Sequence, residues 1–437
     1  MKALVFMVFL VFSWMPGIAQ NTYFPPTSGA QWATVSPASL NWNSQEIPAL
    51  NQFLEDNHTK AFIVLHNGKI AIESYFGSFT QDSLWYWASA GKTITAFSVG
   101  LAQEDGFLNI NAPTSDYLGS GWTHCTPQQE NAITVAHQLT MTTGLDDGVA
   151  DLFCTDDTCL QYLTNPETRW SYHNGPYTLL TDVVSNAVGQ PINVYNNQRF
   201  LNAIGINGGF YPFGYNRLFL SNARSMARFG LLISNDGNWN GNPIMSDQTY
   251  FQSMITTSQP LNKAYGYLWW LNGKDSYLLP QSQFLFSGSL IPNAPDDMIA
   301  AIGKNGQLIN IVPSKNLVVI RMGEAPDGPG GLVSTLFNNN LWENLCRVLC
   351  SSVGTQNYST EPNLQIYPQP SRDLLNIRTS EQLSSVEIMN LSGQQVILSQ
   401  TVLSPVNLNV KHLPSGTYIA RITYTNGNVA HRKISIQ

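Results

Sequence analysis

Charge is scarce in this chain: only 11% of its residues are Asp, Glu, Lys or Arg, and aromatic residues are as common as charged ones. Lys and Arg together number 21 against 28 acidic residues, for a formal net charge of −7. No basic patch of the kind that binds nucleic acid is expected from such a balance. Cysteine is sparse, with five in the chain, and no Cys or His spacing has the pattern of a zinc site. His66, His124, His137 and His173 are scattered and read as ordinary polar residues, so neither a metal nor another cofactor is implied. Beyond the first residues no apolar run is long enough to cross a bilayer, and the mature protein is expected to have no membrane span. Internal repeats and low-complexity tracts are also lacking.

What is present begins with "MKALVFMVFLVFSWMPGIAQ", in which Lys2, an apolar run and the small residues before Gln20 have the build of a secretory signal over residues 1–19. Export permits disulfides. Cys154 and Cys159 bracket a short polar loop suited to a local bridge. Cys346 and Cys350 have i, i+4 helical spacing, where a bridge is geometrically less favoured, and Cys125 is left over. "EIPALNQFLEDN" reads as an amphipathic helix. "AFIVLHNGKIAIESYF" reads as two strands around the tight turn Asn67-Gly68. A helix opened by Ser89 follows, a mainly helical stretch runs from about Asp105 to Asn262, and "DDMIAAIGKNGQLINIVPSKNLVVIRMG" reads as two strands joined through "VPSKN". The order predicts an α+β fold, in which N- and C-terminal parts share one antiparallel sheet and a helical lobe makes a cleft against it. "SSVGTQNYSTEPN" (residues 351–363) reads as a linker, and residues 364–437 as a small all-β module of short strands and turns.

Three places carry chemistry. In "WASAGKTITAF", Ser89 and Lys92 are i, i+3 neighbours at a helix start. A serine hydroxyl needs a base within hydrogen-bond reach, and a lysine kept neutral by burial is one. A helix cap beside a surface lysine is the competing reading. In "TRWSYHNGPY", Tyr172 and Asn174 can both face a cleft; Tyr-x-Asn recurs at Tyr195/Asn197 and Tyr424/Asn426, but Tyr172 is best placed. In "IGKNGQLINIVP", a strand edge loosened by Gly303 and Gly306 offers the Lys304 N–H, and the Ser89 N–H at a helix start offers a second donor, to a developing oxyanion. A plain glycine-containing hairpin strand is the alternative there.

Ser89-x-x-Lys92, Tyr172-x-Asn174 and the late glycine-bearing strand, with "GFLNINAPTSDYL", "ITVAHQLTMTTGL", "ARSMARFGLLISNDGNW" and "YGYLWW" between them, resemble the serine beta-lactamase and penicillin-recognising superfamily over most of residues 25–350. The likeness is to the class C-like branch, which holds family VIII carboxylesterases, D-aminopeptidases and 6-aminohexanoate-oligomer hydrolases. It implies Ser89 as acyl-accepting nucleophile, Lys92 as its base, Tyr172 as general acid and base, and Asn174 as a hold on Lys92 or the substrate. It also implies an oxyanion hole from the Ser89 and Lys304 amides beside Gly303.

Two departures bear on substrate. The position that carries Lys-Thr-Gly or His-Thr-Gly in lactam-handling members is Ala301-Ile302-Gly303 when aligned on "GQLINIVP", so that motif's carboxylate-gripping cation is missing. No Glu-x-x-Leu-Asn-like deacylating element is present, leaving water activation to Tyr172. The expectation is a secreted serine hydrolase of small ester, amide or peptide-like substrates. The alternatives are a catalytically silent binding or surface protein on the same scaffold, and a beta-lactamase or D-Ala-peptidase-type wall enzyme. "LQIYPQPSRDLLNI", "NLSGQQV", "LPSGTYIARI" and "HRKISIQ" resemble a type IX secretion sorting domain, which implies the type IX machinery as partner and a secreted or cell-surface destination. Trp85, Tyr86, Trp87, Trp170, Trp269 and Trp270 either line an aromatic cleft or belong to the core.

Overall fold

The computed structural model describes residues 22–326, 331–350, 364–390, 395–402, 405–426 and 429–437; the signal segment 1–19 and the linker 351–363 lie outside the described residues. The chain divides into two compact units, 1–352 and 353–437.

In the first unit, apolar runs with turn residues between them build an antiparallel sheet around which helices pack. Helix α1 (Ile47–Asp56) leads into β1 (Thr59–His66) and β2 (Lys69–Tyr75). The Asn67-Gly68 hairpin between these strands has both residues at positive φ, 49° and 77°, which suits Asn-Gly. A short strand, β3 (Trp85–Tyr86), a 3-10 turn (Ala88–Gly91) and helix α2 (Lys92–Glu104) follow. The helical lobe then includes α3 (Asn174–Thr178), and the hairpin β4 (Gly208–Phe213) and β5 (Asn216–Ser221) pairs with β3. Helix α4 (Ala223–Ser234) precedes β6 (Trp270–Leu271), β7 (Ile299–Gly303), β8 (Gln307–Val312) and β9 (Leu317–Gly323), and α5 (Thr335–Leu349) closes the unit.

The strand order of the main sheet is β2-β1-β9-β8-β7-β6, so N- and C-terminal segments share one sheet. Strands β7, β8 and β9 are buried on both faces because helices cover both, while the edge strand β2 is only partly buried. Gly230 of α4 lies so close to β8 and β9 that a Cβ there would stand 2.5 Å from Val318 and 3.1 Å from Ile309. Arg321, of the opposite parity to Val318 on β9, sits with its guanidinium over the Phe337 ring of α5. Asn310, opposite in parity to Ile309, exchanges hydrogen bonds with Asn338 of α5 at 2.7 and 3.0 Å.

One stretch differs from its sequence reading: "MIAAIGKNGQLINIV" is two strands, not one, because Asn305 (φ 62°) and Gly306 (φ 69°) turn the chain tightly after Gly303. The second unit holds β10 (Gln365–Tyr367), β11 (Leu374–Arg378), β12 (Leu383–Met389), β13 (Gln395–Val402), β14 (Val406–Asn409), β15 (Gly416–Tyr424) and β16 (Val429–Ile436). They form a three-stranded sheet, β10-β11-β14, and a four-stranded one, β13-β12-β15-β16, around a core of Leu375, Ile377, Val386, Ile388, Ala420, Ile422 and Ile434.

Candidate active site

Ser89 does not open the helix; it stands in the 3-10 turn just before α2, partly exposed, while Lys92 is the first α-helical residue and is buried. Ala88, next to Ser89, has φ 47°, an uncommon conformation for a residue with a Cβ. The turn is held from two sides. Trp87 is fully buried, donates its indole N–H to Ser221 Oγ at 2.9 Å and packs edge-on against Phe219. From the other side comes Gly303: a Cβ there would meet Trp87 O at 2.5 Å, Ala90 N at 3.0 Å and Ala88 Cβ at 3.2 Å. The glycine is therefore required by close approach of strand to turn, whereas Ala301 and Ile302 beside it are buried in the sheet. Lys304, after the strand, is exposed, and its turn touches the Ser89 turn.

Lys92 Nζ donates to Ser89 Oγ at 3.0 Å and to Asn174 Oδ1 at 2.7 Å. Among the described residues no carboxylate pairs with it. Burial draws its pKa from the ordinary 10.5 down to about 7, because an ammonium loses its hydration there. Two aromatic faces oppose that loss: the Tyr177 ring centroid is 4.0 Å from Nζ and that of Tyr172 is 5.1 Å. Asn174 and Tyr177 are i, i+3 on α3, so one helix face presents the amide and the ring to the same ammonium. Helix α3 is seated on the disulfide loop: Cys154 and Cys159 are bonded, Gly175 N donates to Leu152 O at 2.9 Å, and a Cβ on Gly175 would lie 2.4 Å from Cys154 O. Cys125, Cys346 and Cys350 are free thiols, so the i, i+4 bridge does not form.

Tyr172 is buried among Trp170, Tyr265 and Trp270, with its ring stacked on Trp270 at 5.9 Å. Among the described residues its Oη has no hydrogen-bond partner, and burial pushes its pKa well up; the Ser89 hydroxyl is near enough to pull part of that shift back without closing a hydrogen bond. The phenol is thus held in its neutral form near the serine. The other Tyr-x-Asn copies serve elsewhere: Tyr195 donates to Asp105 Oδ2 at 2.7 Å, and Tyr424 belongs to the core of the second unit. Trp87, Trp170, Trp269 and Trp270 are core residues, while Trp85 and Tyr86 are partly exposed.

Sequence reasoning reached Ser89, Lys92, Tyr172 and Asn174 and missed Tyr177, Tyr265 and the positive φ of Ala88. The Asn174–Tyr177 spacing was the available signal for Tyr177. Among the described residues no cluster of His, Cys, Asp or Glu is arranged to hold a metal ion, and no helix is long and apolar enough to cross a membrane.

Residues 52–331 match the beta-lactamase family. The chain belongs to it. Residues 365–437 match the secretion system C-terminal sorting domain, which indicates type IX secretion to the surface or beyond. This beta-lactamase-family protein is similar in fold to a candidate 6-aminohexanoate-dimer hydrolase from Bacillus anthracis (17% identity, TM-score 0.55, covering 74% of this chain and 89% of that one). It is also similar to a family VIII carboxylesterase (15% identity, TM-score 0.52, 73% and 99%). An uncharacterised protein of Alkalihalophilus pseudofirmus is 22% identical over 316 residues, 64% of this chain and 87% of its own length.

Proposed function

We propose that the protein is a secreted serine hydrolase that cleaves esters or amides through an acyl-enzyme on Ser89. The observation that carries this reading is a buried lysine, without a carboxylate partner among the described residues, whose Nζ is 3.0 Å from a serine Oγ and 2.7 Å from an amide oxygen. Neutral Lys92 accepts the Ser89 proton as Oγ attacks the substrate carbonyl, and Asn174 keeps the amine aimed. The negative oxygen that develops is held by the main-chain N–H groups of Ser89 and Lys304, a reading supported by the close approach of Gly303 to the Ser89 turn. Tyr172 passes a proton to the leaving group; in the second half it deprotonates the water that attacks the acyl-serine, and Lys92 returns a proton to Oγ.

The buried apolar pair Ala301-Ile302, where lactam-handling relatives carry a cation, supports esters and amides over beta-lactams. The domain reading that goes with this is a signal over 1–19, a hydrolase domain over 25–350, a linker over 351–363 and a sorting module over 364–437. The test is turnover of a short-chain aryl ester and of a chromogenic cephalosporin by the protein and by Ser89→Ala. Ester turnover lost in the variant, with no cephalosporin turnover, is expected; Ser89-independent turnover overturns the mechanism, and cephalosporin turnover overturns the substrate class.

A further inference from the structure

A cavity of about 790 Å³ opens where the turn after β7 meets the start of α5, and none of the acid–base steps above uses it. Lys304 and Asn305 line one end, and their turn touches the turn that carries Ser89. Leu332, Leu336 and Phe337 supply an apolar wall, and Gln281 adds an amide. Leu336 is 56% exposed and lines the cavity.

Among the described residues that line it, Lys304 is the one charged group. Its side chain is exposed and has no hydrogen-bond or ion-pair partner among the described residues. The carboxylate of Glu324 is already taken by Lys60 at 2.8 Å. Arg321, beneath the same turn, is fully buried and spends its N–H groups on Thr59 Oγ1 and on the carbonyls of Asn57, Asn305, Gly306 and Glu324. An apolar wall ending at one uncompensated ammonium fits an aliphatic chain with a carboxylate at its far end.

We propose that this cavity receives the acyl part of the substrate and that Lys304 Nζ pairs with a carboxylate at its end, so that the preferred substrates are half-esters or half-amides of short aliphatic diacids. The inference rests on Ser89 as nucleophile. Lys304 then acts twice from one residue: its main-chain N–H meets the carbonyl oxygen under attack, and its side chain, reaching away from the same Cα, meets the charge at the far end. The cation missing from the Ala301-Ile302-Gly303 position is supplied one residue later, from the turn.

The experiment compares kcat/KM for mono-p-nitrophenyl glutarate and p-nitrophenyl butyrate in the full protein, in Lys304→Met and in Lys304→Arg. The ratio is the readout, because a disturbed oxyanion hole affects both esters alike. The wild-type protein is expected to favour the charged ester by about tenfold, the size of one charge-assisted contact. Lys304→Met should abolish the preference, Lys304→Arg should retain most of it, and raised salt should weaken it. An equal or inverse preference in the wild-type protein, or a preference unchanged in Lys304→Met, overturns the proposal. A preference for charge only on the leaving side, read with 4-carboxyphenyl butyrate, overturns the acyl assignment. Turnover that survives Ser89→Ala refutes the nucleophile instead, so the two failures are distinct.

Discussion

Replacing Lys92 by methionine should destroy activity and make the protein more stable at mildly acidic pH. An unfolded lysine keeps its proton up to about pH 10.5, whereas folded Lys92 holds it only below about 7. Between those values the unfolded chain binds the extra proton, so stability rises with pH across the window and its loss is complete below about pH 7. The 3.5-unit difference corresponds to roughly 5 kcal/mol at most, at about 1.36 kcal/mol per unit. Methionine fills similar volume with no charge to desolvate. Against that gain, Asn174 Oδ1 loses its 2.7 Å donor, at about 1–3 kcal/mol for a buried acceptor left unpaired. Loss of the Tyr177 and Tyr172 ring contacts takes back about 1 kcal/mol more.

The net expectation is a gain of roughly 1–3 kcal/mol near pH 6, seen as a rise of several degrees in Tm. By about pH 9.5 the wild-type penalty falls to roughly 1 kcal/mol and the gain should vanish. Thermal unfolding of both proteins, followed by tryptophan fluorescence at the two pH values, measures it. A Lys92→Met variant less stable than wild type near pH 6, or with the same gap at both pH values, would refute the claim that this lysine is held against its own desolvation.

The remaining predictions concern the same neighbourhood. Ester kcat/KM should fall tenfold per unit on the acid side of about pH 7, as Lys92 takes up a proton; Tyr177→Leu, which removes a ring 4.0 Å from the ammonium, should move that limb roughly 0.5–1 unit lower, and Tyr177→Phe should leave it in place. Gly303→Ala forces a methyl to within 2.5 Å of Trp87 O, so kcat should drop at least about tenfold while the fold survives with a loss of about 1–3 kcal/mol. His173 is buried with neither ring nitrogen partnered among the described residues, and burial draws its pKa down to about 4; stability should therefore fall as pH drops from about 6.5 to about 4, by up to roughly 3 kcal/mol. His173→Phe should flatten that slope, and an unchanged slope would show that other groups set it.

How much of this was legible in sequence depended on whether the signal was local. The Asn67-Gly68 hairpin, the helix 47–56 and the Cys154–Cys159 loop are each written within a dozen residues, and each is seen in the structure. The Ser89–Lys92 contact was legible for the same reason, since i, i+3 spacing survives the replacement of a helical turn by a 3-10 turn. Lys92 meeting Asn174 across 82 residues was reached only through likeness to a family, because no periodicity encodes so distant a contact. "MIAAIGKNGQLINIV" misled because its apolar residues run through the turn; the break comes from Asn305 and Gly306 taking positive φ. The tryptophans divided by packing: Trp87 and Trp269 pack on Phe229 of α4 and Trp170 and Trp270 on Tyr265, and composition carries no record of such contacts.

The most direct test of the central claim is the mass of the intact protein after exposure to a fluorophosphonate, with Ser89→Ala beside it and the labelled peptide sequenced. A single adduct on Ser89, absent from the variant and formed faster as pH rises through about 7, is the predicted result. No adduct, or one that persists in Ser89→Ala, would contradict the account and leave the 3.0 Å Lys92–Ser89 contact as architecture rather than chemistry.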